Sequence, residues 1–165
     1  MDIKPQKNAE LTKLGELIED MSVAMLTTFN EAEGLLMSRP MSPQEMCEQG
    51  GIWFLTDPNS NKVKNMQVMN LAFANEDDST YVSISGHGEI ISDRERIESL
   101  WTVFAKPWFP HGSDSHNLAL LKFVPHSAEF WDAPNSKMVR MLAMVASIAA
   151  AKPVGMGEHG NLNGL

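Results

Sequence analysis

Nine consecutive residues, Phe54-Leu55-Thr56-Asp57-Pro58-Asn59-Ser60-Asn61-Lys62, carry the most suggestive chemistry in the chain. A strand-like run ends in a turn, and the turn feeds a helix whose first residues offer a hydroxyl, backbone N–H groups and an ammonium. Helix N-termini present unpaired N–H donors and a partial positive charge, so an anion docked there is stabilised twice. A phosphate ester, if one binds, is placed on this stretch. The same Asp-Pro-Asn-Ser order also makes an ordinary turn with a helix cap, and the residues alone leave both readings open.

Other candidate chemistry is weaker. His111 and His116 flank Asp114 in a loop, without metal-ligand spacing, and read as polar loop residues. Ser85, His87 and Asp93 have the types of a hydrolytic triad, but no nucleophile elbow accompanies them. Cys47 is the single cysteine, with no partner for a disulfide or a zinc site. The 12 methionines are scattered and read as packing.

Composition bounds the rest. The 165 residues suit one domain. A chain of that size buries about 70% of its unfolded surface, enough for a core without metals or disulfides. With 21 acidic and 13 basic residues the formal net charge is −8, and no Lys/Arg cluster provides the stripe that nucleic acid requires. The polar start, Met1 to Glu10, lacks a signal peptide's apolar stretch, and the apolar run Met141 to Ala151 is shorter than the roughly 18 residues of a membrane span. With one unpaired cysteine, these features predict a cytoplasmic protein with no membrane partner.

The elements that must position the turn follow from periodicity. Residues 10–21 place Leu11, Leu14, Leu17, Ile18 and Met21 on one face of a helix. Ser22–Phe29 and Leu35–Met41 read as a hairpin across the polar turn Asn30–Gly34, with Pro40 marking an edge, bulge or strand end. Gly51–Thr56 is a third strand, Ser60–Met69 a short helix and Asn70–Asn75 a fourth strand. Tyr81–Ser85 and His87–Ser92 flank a corner at Gly86. Ser92-Asp93-Arg94-Glu95 fits a capping box that opens a helix to about Phe104. A loop over Lys106–Ser115 leads to Leu118–Asp132, a long strand or a pair broken at Pro125. Asn135 caps a final helix, and the Gly-rich residues 152–165 form a flexible tail after a domain of 1–151. The pattern is mostly β, about seven short strands with peripheral helices, and suits a closed or partly closed antiparallel barrel better than a doubly wound sheet.

Four motifs in this order resemble the pyridoxamine 5′-phosphate oxidase-related flavin proteins: Leu35-Leu36-Met37-Ser38-Arg39-Pro40-Met41, Ile52-Trp53-Phe54-Leu55-Thr56, Ser60-Asn61-Lys62 and Ser83-Ile84-Ser85-Gly86-His87-Gly88. The loop Lys106-Pro107-Trp108-Phe109-Pro110-His111-Gly112 and the segment Glu129-Phe130-Trp131-Asp132 resemble the general stress protein branch of that group. The resemblance covers roughly residues 10–150. It implies a Greek-key split antiparallel β-barrel that forms a homodimer and binds FMN in grooves between subunits. It places Arg39, Pro40 and Met41 against the flavin ring, Ser60 and Lys62 at the phosphate, and Thr56 and Asp57, after Phe54 and Leu55, near the ribityl chain or ring edge. Lys62 then acts as a point charge and Ser60 as cap and donor. A cationic Arg39 favours the anionic reduced flavin; without the resemblance it reads as a solvated strand-end charge. Trp108 lies in a Pro-bounded loop rather than a periodic element, which makes it a candidate for the pocket mouth or the dimer partner.

Departures narrow the expectation. Pyridoxamine phosphate oxidases carry Arg where Asn61 stands, and an Arg-containing C-terminal segment completes their substrate site; here no arginine follows Arg140. Vitamin oxidation is therefore not expected. The resemblance implies an oxidoreductase that uses FMN, or FAD if the groove is open beyond the phosphate, with a reduced nicotinamide or another donor and an unidentified acceptor. The alternatives are a flavin sensor or binding module without turnover, and a related barrel for a deazaflavin or haem.

Overall fold

The structure, a computed structural model, describes residues 1–60, 65–132, 147, 157–163 and 165. Nine strands form one sheet: β1 (Asp2–Ile3), β2 (Ala24–Asn30), β3 (Leu35–Met41), β4 (Pro43–Met46), β5 (Ile52–Thr56), β6 (Met69–Asn75), β7 (Thr80–Ile91), β8 (Ala119–Asp132) and β9 (Glu158–Asn163). The order is β1-β4-β5-β8-β7-β6-β2-β3, with β9 also on β8. Every pairing is antiparallel except β1 with β4, so the sheet is mixed. It is the mostly β, split-barrel arrangement that the resemblance implies.

Among the described residues, two α-helices of more than one turn flank the sheet. α1 (Ala9–Ile18) starts at Asn8, whose Oδ1 accepts the Leu11 N–H at 2.8 Å, and it buries Leu11, Leu14, Leu17 and Ile18 in the main core. α2 (Arg94–Leu100) starts at Asp93, whose carboxylate accepts the Arg96 N–H at 3.1 Å. A carboxylate complements the helix N-terminus by charge as well as by hydrogen bonding, so Asp93 rather than Ser92 takes the cap. α2 ends at Leu100 rather than Phe104, because Trp101 turns extended; a single 3₁₀ turn follows at Val103–Ala105.

The main core joins α1 to Leu26, Met41, Met46, Ile52, Phe54, Leu71, Ile84, Leu121 and Phe123. A second cluster under α2 collects Trp53, Ile97, Leu100, Phe109, Leu118 and Leu120. β5 lies between the two. Ile52 and Phe54 face one and Trp53 the other, which is why its sequence reads as an unbroken apolar run. Packing on both faces fixes the end of β5, and with it the turn at Asp57.

Several expectations are corrected. Nine strands replace about seven, because β1 and β4 are too short to carry a periodic signal and β9 lies in glycine-rich sequence. Residues 158–163, read as part of a flexible tail, pair along Ser127–Asp132 as β9. Met69 belongs to β6 and residues 65–68 are not helical, so no helix spans Ser60–Met69; residues 61–64 lie outside the described residues, as does the reading of a final helix from Asn135, apart from the helical Ser147. The corner at Gly86 is a register shift inside one continuous strand, and Pro125 lies within the single strand β8. No helix among the described residues is long and apolar enough to cross a membrane.

Candidate functional site

The turn after β5 is built by Asp57. Its Oδ1 accepts the Asn59 N–H at 2.8 Å, and its carbonyl accepts the Ser60 N–H at 3.1 Å and the Ser60 hydroxyl at 2.7 Å. Its Oδ2 accepts from Asn117 Nδ2 at 3.2 Å, tying the turn to the loop that precedes β8. These bonds are those of an Asx turn, the arrangement Asp-Pro-Asn-Ser favours. Just before the turn, Thr56 pairs with Ala119 and is fully buried, yet its hydroxyl has no hydrogen-bond partner among the described residues.

β3 supplies the second half. It is an edge strand, which tolerates the missing N–H of Pro40. The register sets Leu26 opposite Arg39 and Met25 opposite Pro40, so the two side chains leave opposite faces. Arg39 Nη2 donates to Thr28 Oγ1 at 2.9 Å and to the Met37 carbonyl at 3.3 Å. Arg39 Nη1 is buried without a partner. Burial pushes the guanidinium below its ordinary pKa. Only Ser42 separates β3 from β4, and Pro43 of β4 pairs with Phe54. The crossover therefore brings Arg39-Pro40-Met41 to the end of β5 where Thr56 and Asp57 lie.

Among the described residues, Arg39 Nη1 and Thr56 Oγ1 are thus buried donors without acceptors. Buried polar groups are rarely left so. The donor set suits an electronegative ligand, such as the polar edge or the phosphoryl chain of a nucleotide. Two concavities, lined in part by Glu16, Asp20 and Asp132 and by Lys4, Glu45 and Arg96, contain none of these residues.

The family model described as pyridoxamine 5′-phosphate oxidase like matches residues 9–154. The chain belongs to the pyridoxamine 5′-phosphate oxidase-like family. Among solved members of similar fold, a general stress protein 26 from Jannaschia sp. CCS1 superposes with a TM-score of 0.75 at 25% identity, covering 94% of this chain and 99% of that one. The general stress FMN/FAD binding protein from Xanthomonas citri superposes with a TM-score of 0.62 at 25% identity, covering 73% and 86%. The protein bli-3 of Neurospora crassa is 27% identical over 114 residues; the match spans 66% of this chain and 54% of that relative. The chain therefore spans about half the length of that relative.

Against this family the residues divide. Arg39 lies near the end of β3, and Thr56, Asp57 and Ser60 lie at and just beyond the end of β5. The side chains of Met41 and Phe54 are buried in the main core and Leu55 packs against the second cluster, so these three offer a ligand chiefly their backbone. The Ser60 hydroxyl donates to the Asp57 carbonyl within the turn. Pro40 is exposed on the far face from Arg39. Trp108 is 73% exposed, held in a loop that Phe109 anchors in the second cluster. Lys62 lies outside the described residues. Two contributors had no signal of their own: Thr28, recognisable only from the hairpin register as Arg39's neighbour, and Asn117, distant in sequence from the turn it ties down.

Proposed function

We propose that this protein binds FMN, with the phosphate at the segment from Asp57 to Lys62 and the isoalloxazine ring against Arg39-Pro40-Met41. The observation that carries this reading is the pair of buried, partnerless donors, Arg39 Nη1 and Thr56 Oγ1, at two of the positions where the family resemblance expects flavin contacts. Flavin binding named for the Xanthomonas citri relative supports it. Lys62 and Ser60 would hold the phosphate, Thr56 and Asp57 the ribityl side, and the backbone of Phe54 and Leu55 the approach to it. FAD is accommodated if the groove is open beyond the phosphate.

Two copies complete the site. One chain presents Arg39-Pro40-Met41 on the edge strand β3, as expected of a half-groove. The outer face of the sheet carries Met25, Phe29, Leu36, Tyr81 and Trp131, each at least 41% exposed, an apolar surface that a second protomer would cover. Trp108 would then lie at the mouth of the groove or against the partner.

The reaction class is oxidoreduction in the cytoplasm, with a reduced nicotinamide as one candidate donor. Bound flavin supplies hydride and electron transfer; the chain binds, orients and excludes water, and Arg39 places positive charge beside the ring. The absorbance of purified protein tests the reading. A two-band flavin spectrum that bleaches when NADH or NADPH is mixed in stopped flow supports an FMN oxidoreductase. A flavin spectrum without bleaching by any donor supports binding without turnover, and a Soret band overturns the flavin assignment.

A further inference from the structure

The β7–β8 pair changes register at one point: Ser85 faces Ser127, but Gly86 faces Pro125, and His126 is the extra residue of the bulge. Across this bulge His87 Nδ1 and His126 Nε2 lie 2.8 Å apart, with ring centroids 4.9 Å apart. His87 Nε2 is 3.8 Å from Glu89 Oε1, and Glu89 Oε2 meets Lys122 Nζ at 3.4 Å. In the tautomer that places the Nε2–H of His87 toward Glu89, His87 Nδ1 accepts from His126 Nε2–H. The charged groups facing the pair are thus Glu89 from β7 and, through it, Lys122 from β8. The paired residues of β6 and β9, Asn70 opposite Ser85 and Asn163 opposite Ser127, are uncharged.

Both glycines beside His87 make close approaches. A Cβ on Gly86 would stand 2.1 Å from the Val124 carbonyl oxygen, and Gly88 donates its N–H to the Met66 carbonyl at 2.8 Å while packing on Met69. The backbone that carries His87 therefore also touches Met66, just before β6, and Met69, its first residue.

We propose that His87 and His126 form an acid-released clasp across this bulge. The bond survives protonation of His126 at its free Nδ1, because Nε2–H still donates. It is lost when a second proton occupies His87 Nδ1, which removes the acceptor and sets two imidazolium rings against each other. Imidazole is the side chain whose charge changes between about pH 5 and 8. His87 is half-buried and His126 exposed, so both are open to solvent protons. The inference stands on the fold and is independent of the flavin reading.

Thermal unfolding of the full chain tests it. At pH 7.5, His126→Ala is expected to melt about 2–4 °C below the parent; at pH 5 it melts with the parent or above it. A cycle with His87→Ala isolates the pair: favourable coupling at pH 7.5, none or unfavourable coupling at pH 5. Should either variant fail to fold, ¹⁵N imidazole spectra of the unmodified protein decide. A through-bond coupling between His87 Nδ1 and His126 Nε2 at pH 7.5 that vanishes by pH 5, with a shift of the Gly88 amide, supports the clasp. No coupling at either pH, or an equal melting difference at both, overturns it.

Discussion

Arg39 is the residue at which stability and binding are expected to part. Its guanidinium is desolvated, only one of its terminal nitrogens is bonded, and those bonds go to Thr28 and the Met37 carbonyl rather than to a carboxylate. A cation so placed contributes little to folding, and an apolar side chain of similar length can replace it at little cost. Arg39→Met is therefore expected to leave the melting temperature of the ligand-free protein within about 2–4 °C of the parent, a change of about 1 kcal/mol. The same change is expected to weaken FMN by about tenfold or more, since a charge-assisted hydrogen bond contributes about 1.5–3 kcal/mol. Calorimetry of unfolding and of FMN titration checks both. Asp57 is the opposite case. Asp57→Ala removes acceptors for the Asn59 N–H and for Asn117, and is expected to cost about 1–3 kcal/mol in ligand-free stability, measured by urea unfolding. The residue types of this site were legible in the sequence because strand-turn-helix punctuation is local. The orphaned donors were not, because whether a polar atom finds a partner depends on residues far along the chain.

Among the elements, strands with clean turns read most directly: Leu35–Met41 is β3 residue for residue, and the preceding turn closes at Gly34 with φ +67°. β4 escaped because four residues cannot display a period. β9 escaped because its pairing depends on β8 and on glycine. Gly160, within β9, sits against the Phe130 ring, where a Cβ would come within 2.8 Å. Gly86 was recognised as a bend, but its necessity lies in the close approach of another strand. Gly86→Ala is expected to destabilise by about 3 kcal/mol or more, because the clashing atom is backbone and cannot step aside. Gly34→Ala, at positive φ but with open space around it, is expected to cost only about 1–2 kcal/mol. Chemical denaturation of the two variants side by side checks the ranking.

At the scale of the whole molecule, the outer sheet face is the feature to explain. Phe29 lies opposite Leu36 on β2 and β3, and Tyr81 opposite Trp131 on β7 and β8. Leu36 is 73% exposed in a chain that buries a well-filled core elsewhere. Large apolar side chains on adjacent strands mark an association surface. Phe29→Asp together with Leu36→Asp is expected to abolish the proposed dimer, read as a monomer in sedimentation. A double variant that stays dimeric would place the association elsewhere. Composition and periodicity pointed to a mostly β barrel, while the two-sided burial of β5 and the crossover at Ser42 that assemble the site emerge only from the strand order.

The most direct test is calorimetric titration of the parent and of Lys62→Ala with FMN and with riboflavin, which lacks the phosphate. The account predicts that the substitution weakens FMN by about 1.5–3 kcal/mol and leaves riboflavin almost unchanged. Equal losses for the two ligands, or none for either, would contradict a phosphate held at the end of β5.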